Sequence, residues 1–92
     1  VDQWSIGDLA ARGVPREAAD ALAGVREAGV DEKTVVVVFL YLLSQERKFK
    51  GGLTRSTSRM ITKAYKNLPN ATADLRQRVK EAVDLCLRAM GS

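Results

Sequence analysis

The sequence predicts an all-α protein, a compact single domain of four to five helices around a central apolar helix at residues 35–43. Helix-start and helix-stop residues recur along the chain, and apolar residues follow a helical period in most segments. With 92 residues, of which 46% are hydrophobic and 28% charged, the chain suffices for one modest core. We therefore expect residues 1–92 to form one helical interaction domain.

The first predicted helix begins at Ser5, whose side chain is placed to cap it. Asp8, three residues later, completes the pattern of a capping box. Trp4 and Leu9 occupy the two positions of a hydrophobic staple around the same turn. We expect this short helix to end near Gly13, because glycine favours helix ends.

The second predicted helix has Pro15 in its first turn and ends at Gly29, a residue suited to the left-handed conformation that follows many helices. Between them, apolar residues keep helical spacing. Gly24 lies inside this helix. Gly24 either makes the helix slightly less stable than alanine would, or marks a point where another helix approaches closely.

The third element begins at Asp31, a predicted N-cap, and contains the apolar run Val35 to Leu43. Its four consecutive valines favour a strand by propensity alone. We predict a helix, continuing to about Lys48, because the segment is capped like a helix and no partner strand is visible. A buried strand is the competing interpretation. A helix that is apolar on every side must lie at the centre of the domain.

The fourth and fifth helices are separated by Pro69 and Asn70. The fourth helix follows the break at Gly51-Gly52, and it has three alternative N-caps: Thr54, Ser56 and Ser58. Its predicted core face consists of Met60, Ile61, Ala64, Tyr65 and Leu68. The fifth helix is predicted from about Ala71 to Met90, with a core face of Leu75, Val79, Ala82, Val83, Cys86 and Met90.

Charge is divided unevenly along the chain, whose net charge is +4. Residues 1–46 hold eight acids against four bases, whereas residues 47–80 hold ten bases against Asp74 alone. No acid occurs between Arg47 and Leu68. Four bases recur at offsets of 0, 4, 8 and 11 residues, which places them on one face of the fourth helix: Arg55, Arg59, Lys63 and Lys66. This pattern predicts an anionic partner.

We expect a non-enzymatic domain that binds a polyanion, either nucleic acid or a nucleoprotein assembly, through the basic loop and helix at residues 47–66. The four bases would contact successive phosphates, with Lys48 and Lys50 adding charge from the loop. Phe49 would stack on an unpaired base or, alternatively, fold onto the core. A basic face that is merely solvated is the plainer interpretation.

Docking onto an acidic protein is the alternative, with Phe49 and Leu53 as apolar anchors beside the same bases. Residues 35–68, an apolar helix followed by a basic loop and a basic helix, resemble the C-terminal nucleoprotein-binding domain of rhabdovirus phosphoproteins. They are also similar to C-terminal helical modules of plasmid replication initiators. These resemblances imply a nucleoprotein partner or an accessory role in replication, and they assign no functional residue.

No catalytic constellation is apparent in the sequence. The chain has no histidine and one cysteine, and it lacks a phosphate-binding glycine motif. We therefore expect no enzyme activity, no metal site and no cofactor. Because Cys86 is the single cysteine, an internal disulfide is excluded. Its position on the predicted core face of the fifth helix suggests a structural role.

The remaining expectations concern context. The absence of disulfides and of a signal peptide favours an intracellular protein. The start at Val1 and the end at Gly91-Ser92 suggest a domain excised from a longer protein. The longest apolar run has nine residues, about half of a bilayer span, so we expect no membrane segment. A homodimer is a further alternative, with Leu85 and Leu87 as a candidate apolar face.

Overall fold

The computed structural model describes residues 4–46, 54–68 and 72–91, with side chains up to residue 89. These residues form five α-helices and no strand: α1 (Ile6–Ala11), α2 (Arg16–Glu27), α3 (Glu32–Ser44), α4 (Arg55–Lys66) and α5 (Ala73–Gly91). The predicted all-α class is confirmed. Helix α3 packs against α2, α4 and α5, and α1 packs against α2. The predicted central helix therefore holds the centre of the domain.

Helix α3 shows how burial overrides strand propensity. Every residue from Val35 to Leu40 is buried, as are Leu43 and Ser44, because three other helices surround α3. The strand interpretation of this segment is wrong. The helix also ends at Ser44 rather than near residue 48, and Asp31 occupies the N-cap position without a capping hydrogen bond from its side chain. The buried Ser44 hydroxyl donates to the Tyr41 carbonyl at 2.7 Å.

The predicted ends of α1 and α2 agree closely with the structure. The Ser5 hydroxyl accepts from the Asp8 N–H at 3.2 Å, and the Asp8 carboxylate accepts from the Ser5 N–H at 2.9 Å, which completes the capping box. The hydrogen bond that the carboxylate accepts from the Ser5 N–H, together with a smaller contribution from the Ser5 side chain, lowers the pKa of Asp8. Gly13 and Gly29 follow their helices with φ of 105° and 109°, as left-handed C-cap glycines do. Pro15 is the N-cap residue, one position before the predicted one.

One tertiary connection had no sequence signal. The Glu32 carboxylate accepts from the Ile6 N–H at 3.2 Å and from the Arg26 guanidinium at 3.1 Å. Glu32 thereby joins the start of α1, the end of α2 and the start of α3. Since the Arg26 and Glu32 side chains are 43% and 36% exposed, solvent screens their ion pair. The hydrogen bond from the Ile6 N–H has a different effect, because it satisfies a backbone donor that has no acceptor within α1.

Helix α5 closes the core against α2 and α3. It begins at Ala73, two residues later than predicted, where the Thr72 hydroxyl accepts from the Leu75 N–H at 3.2 Å. Cys86 is 3% exposed, and this burial raises the pKa of its thiol, in agreement with a structural role. Leu85 and Leu87 are half-buried and pack on the core, so the apolar stripe of α5 is wide. None of the described helices combines the length and the apolar content that crossing a membrane requires.

Candidate functional site

The candidate site is built on α4, which forms where the sequence predicted the basic helix. Thr54 is the N-cap among the three candidates, and its hydroxyl oxygen accepts from the Thr57 N–H at 3.1 Å. Lys63 and Lys66 lie in the last turn, where positive charge is favourable to the helix dipole. Local sequence thus stabilises α4 at both ends.

The basic stripe is defined by four exposed side chains along the outer face of α4: Arg55, Arg59, Lys63 and Lys66. The structure therefore brings together all four of the helical bases that the sequence assigned to the site. At about 1.5 Å per residue, the stripe is about 16 Å long. Within the described ranges, none of the four has an acidic partner in an ion pair. The stripe consequently presents four uncompensated positive charges to solvent.

An open groove of about 440 Å³ runs along this face and is lined by Ser58, Arg59, Thr62, Lys63, Lys66 and Asn67. The polar groups at its edge were not predicted from the sequence, although their helical spacing with the bases would have indicated them. The Thr62 hydroxyl donates to the Ser58 carbonyl at 3.0 Å, so its oxygen remains able to accept. The groove therefore offers cationic groups beside short polar side chains, a combination suited to anionic oxygens.

The start of α4 differs from that of the other described helices. Each of the others has an acid in its first turn: Asp8, Glu17, Glu32 and Asp74. Helix α4 has none. Because the N-terminal end of a helix carries a partial positive charge, the missing acid leaves the dipole of α4 to reinforce the positive field at the Arg55 end of the basic stripe.

The opposite face of α4 attaches the site to the core. Ile61 is fully buried, and α4 packs mainly against α3. The rings of Tyr65 and Tyr41 are stacked, with centroids 3.8 Å apart and an angle of 5° between their planes. One buried side chain and one ring stack thus fix the orientation of the basic stripe relative to the domain.

The prediction for Met60 is wrong, because its side chain is 53% exposed instead of packed on the core. Successive residues of a helix are about 100° apart, so Met60 lies to the side of Ile61, away from α3, the helix against which α4 mainly packs. Four of the predicted site residues, in contrast, lie outside the described part of the chain: Lys48, Lys50, Phe49 and Leu53.

A second cleft, of about 330 Å³, lies between the α2–α3 turn and the start of α5. It contains Asp31, Asp74 and Arg78, and Arg78 is paired with Asp74 at 3.3 Å. Its charges are therefore partly neutralised, unlike those of the basic stripe. Over the described part of the chain, no group of three or more cysteine, aspartate or glutamate side chains is placed to hold a metal ion.

Comparisons of the chain with protein-family models, with curated proteins and with solved structures find no match. The geometry and charge of α4 are therefore the features that bear on function.

Proposed function

We propose that this domain binds a polyanion, with nucleic acid as the ligand that fits best, through the basic stripe on α4. The observation that carries the proposal is a set of four exposed bases in register on one helix face without any acidic partner among the described residues. Surface helices that serve solubility alone usually interleave both signs of charge. The groove beside the stripe adds hydrogen-bonding groups for phosphate oxygens.

The dimensions of the stripe match a nucleic-acid backbone. Measured along the duplex axis, the phosphates of one strand advance by about 3.4 Å each, so a stripe of about 16 Å is long enough to reach several phosphates. With four bases in contact, the logarithm of the binding constant should fall with the logarithm of salt concentration with a slope of about −3.6 for duplex and about −2.8 for single strands. Such contacts position the protein on many sequences rather than reading one.

An acidic protein is the second candidate partner, and Met60 is the observation in its favour. Among the described residues, Met60 is the large apolar side chain left exposed, and it flanks the basic stripe. A methionine beside cations provides an apolar contact for a protein surface that pairs its carboxylates with the stripe. Binding of that kind would depend on Met60 and would be less sensitive to salt.

Fluorescence anisotropy with labelled single-stranded and duplex oligonucleotides tests the proposal. The binding constant should fall about a hundredfold for duplex between about 50 and 200 mM salt, from the slope expected for four contacts. The variant Arg59→Glu/Lys63→Glu should bind at least about tenfold more weakly at the lower salt concentration and show a slope smaller by about 1.8.

The chain offers a matched control in Arg76→Glu/Lys80→Glu on α5. It reverses an arginine and a lysine at the same spacing, both exposed, so the two variants have the same net charge. The control should keep most of the binding. No binding of either oligonucleotide at low salt, or equal losses in both variants, would refute the proposed function. Binding only to acidic proteins, lost in Met60→Ala, would favour the second candidate.

A further inference from the structure

A second charged stripe lies on α2 and is acidic. Glu17, Asp20 and Glu27 follow each other at offsets of 0, 3 and 10 residues, which places them on one outward face. All three are exposed, and within the described ranges none takes part in an ion pair. Among the described residues, no base therefore neutralises these three carboxylates through an ion pair.

Gly24 lies within the acidic stripe and makes it accessible. It is exposed, and a methyl group built on its Cα would have no atom of the described residues within 4 Å. No side chain therefore projects from α2 at Gly24, between Asp20 and Glu27, and long side chains from another molecule can reach both carboxylates. The sequence-based alternative of a close helix approach at Gly24 is wrong for the packing within the molecule.

The acidic stripe and the basic stripe are complementary in sign and in length. Each lies on a helix of twelve residues, and at about 1.5 Å per residue they are about 15 and 16 Å long. No ion pair joins them within the described residues of one molecule. Arg16 lies beside the acidic stripe and weakens its field at one end. The acidic surface considered as a partner for α4 is thus present on the chain itself.

We propose that the acidic stripe of α2 in one copy of this chain docks on the basic stripe of α4 in a second copy. The contact is heterologous, because it joins different surfaces of the two copies, and it is electrostatic. Self-association does not depend on the proposed function, although it uses the same basic stripe. A polyanion competes with α2 for that stripe, so binding of the polyanion separates the copies. Leu85 and Leu87, the candidate apolar face for a homodimer, are half-buried and pack on the core of their own molecule, and the proposed contact does not use them.

Sedimentation velocity of the whole chain, without nucleic acid, tests this contact. Association should appear with rising protein concentration at about 20 mM salt and weaken strongly at about 200 mM, because exposed charges are screened over shorter distances as salt increases. Two variants remove one surface each: Asp20→Lys/Glu27→Lys on α2 and Arg59→Glu/Lys63→Glu on α4. Each should weaken self-association at least about tenfold, because like charges then face each other.

Mixing the two variants provides the decisive measurement. The α2 variant retains a native basic stripe and the α4 variant retains a native acidic stripe, so the mixture should form a complex that neither variant forms alone. Controls with the same charge changes on α5 are Glu81→Lys/Asp84→Lys and Arg76→Glu/Lys80→Glu, and both should associate like the wild type. Circular dichroism confirms that each variant is folded.

The proposal is overturned by a wild-type chain that stays monomeric at low salt, by controls that lose as much association as the stripe variants, or by a mixture that stays monomeric. None of these outcomes bears on binding of nucleic acid, which is measured separately. Conversely, absence of nucleic-acid binding would leave the self-association experiment unchanged. Where both occur, an oligonucleotide should dissociate the wild-type complex.

Discussion

Helices α2 and α4 have the same length of twelve residues but different roles in the domain. Helix α2 buries four side chains, Ala18, Ala19, Leu22 and Val25, and packs against α1, α3 and α5. Helix α4 buries Ile61 alone and packs mainly against α3. Core packing therefore explains much of the sequence of α2 and little of the sequence of α4.

The two helices also differ in the charge of their outward faces. On α2 the outward face mixes Arg16 with acids, whereas on α4 the outward face carries bases only. Four like charges on one helix oppose its folding slightly through repulsion. Because packing does not require the basic stripe, a binding role is the physical reason we infer for it. The following predictions test whether α2 contributes mainly to stability and α4 mainly presents the basic stripe.

The largest expected effect is the loss of a buried side chain from α2. Leu22 is fully buried, so Leu22→Ala should lower the free energy of unfolding by about 3 kcal/mol through lost burial and the cavity that remains. The control on α4 is Met60→Ala, which should change the same quantity by less than about 0.5 kcal/mol because Met60 is exposed. Urea denaturation measures both. Equal effects of the two substitutions would contradict the exposure of Met60.

The ring stack between α3 and α4 should contribute a smaller effect. A double-mutant cycle with Tyr41→Leu and Tyr65→Leu isolates the interaction between the rings, which we expect to contribute about 1 kcal/mol beyond the area they bury. The cycle is measured by urea denaturation of the four proteins. A coupling energy near zero would mean that the two rings contribute only the area they bury.

A stabilising substitution is expected on α2. Gly24→Ala should raise the free energy of unfolding by about 0.5 to 1 kcal/mol, since alanine is the better helix former and its methyl group meets no atom. The contrasting control is Gly29→Ala, where φ of 109° strains any side chain, and stability should fall. If Gly24→Ala destabilised the monomer, the open surface inferred at the acidic stripe would be incorrect. Thermal unfolding at low protein concentration is the appropriate measurement.

The smallest expected effect concerns pH and the cap of α1. Hydrogen bonds from Ser5 lower the pKa of Asp8 below its ordinary value of 3.8, so the folded state favours the ionised carboxylate. The resulting stability is present above the unfolded-state pKa and is lost as pH falls through the folded-state pKa. The melting temperature of Asp8→Asn should therefore lie below that of the wild type near neutral pH and approach it in acid. A constant difference across the range would contradict the role of the Asp8 charge.

Much of the fold was predictable because its signals are local. The capping box at Ser5, the glycines that follow α1 and α2, and the apolar period of α5 each depend on residues within a few positions of one another. The basic stripe was predictable for the same reason, since four positions on one helix share a face wherever that helix lies. The exact ends of α3 and α5 were not, because frayed ends depend on neighbouring elements.

Other features depend on contacts between segments distant in sequence. Glu32 meets the Ile6 N–H only when α1 and α3 are brought together, and Tyr41 meets Tyr65 only when α4 lies on α3. The exposure of Met60 likewise reflects the width of the surface that α3 offers to α4. Neither periodicity nor charge could indicate these contacts.

The sequence by itself determined the helical class, the capping box of α1 and the alignment of the four bases, because these depend on residues within a few positions of one another. Tertiary structure settled the strand alternative that the sequence left open for the valine-rich segment, because three helices pack around α3 and no described segment offers it a partner strand. It also decided that the acidic and basic stripes form no ion pair with each other among the described residues. Helix packing sets the direction in which each charged face points, and that direction determines which surfaces a partner can reach.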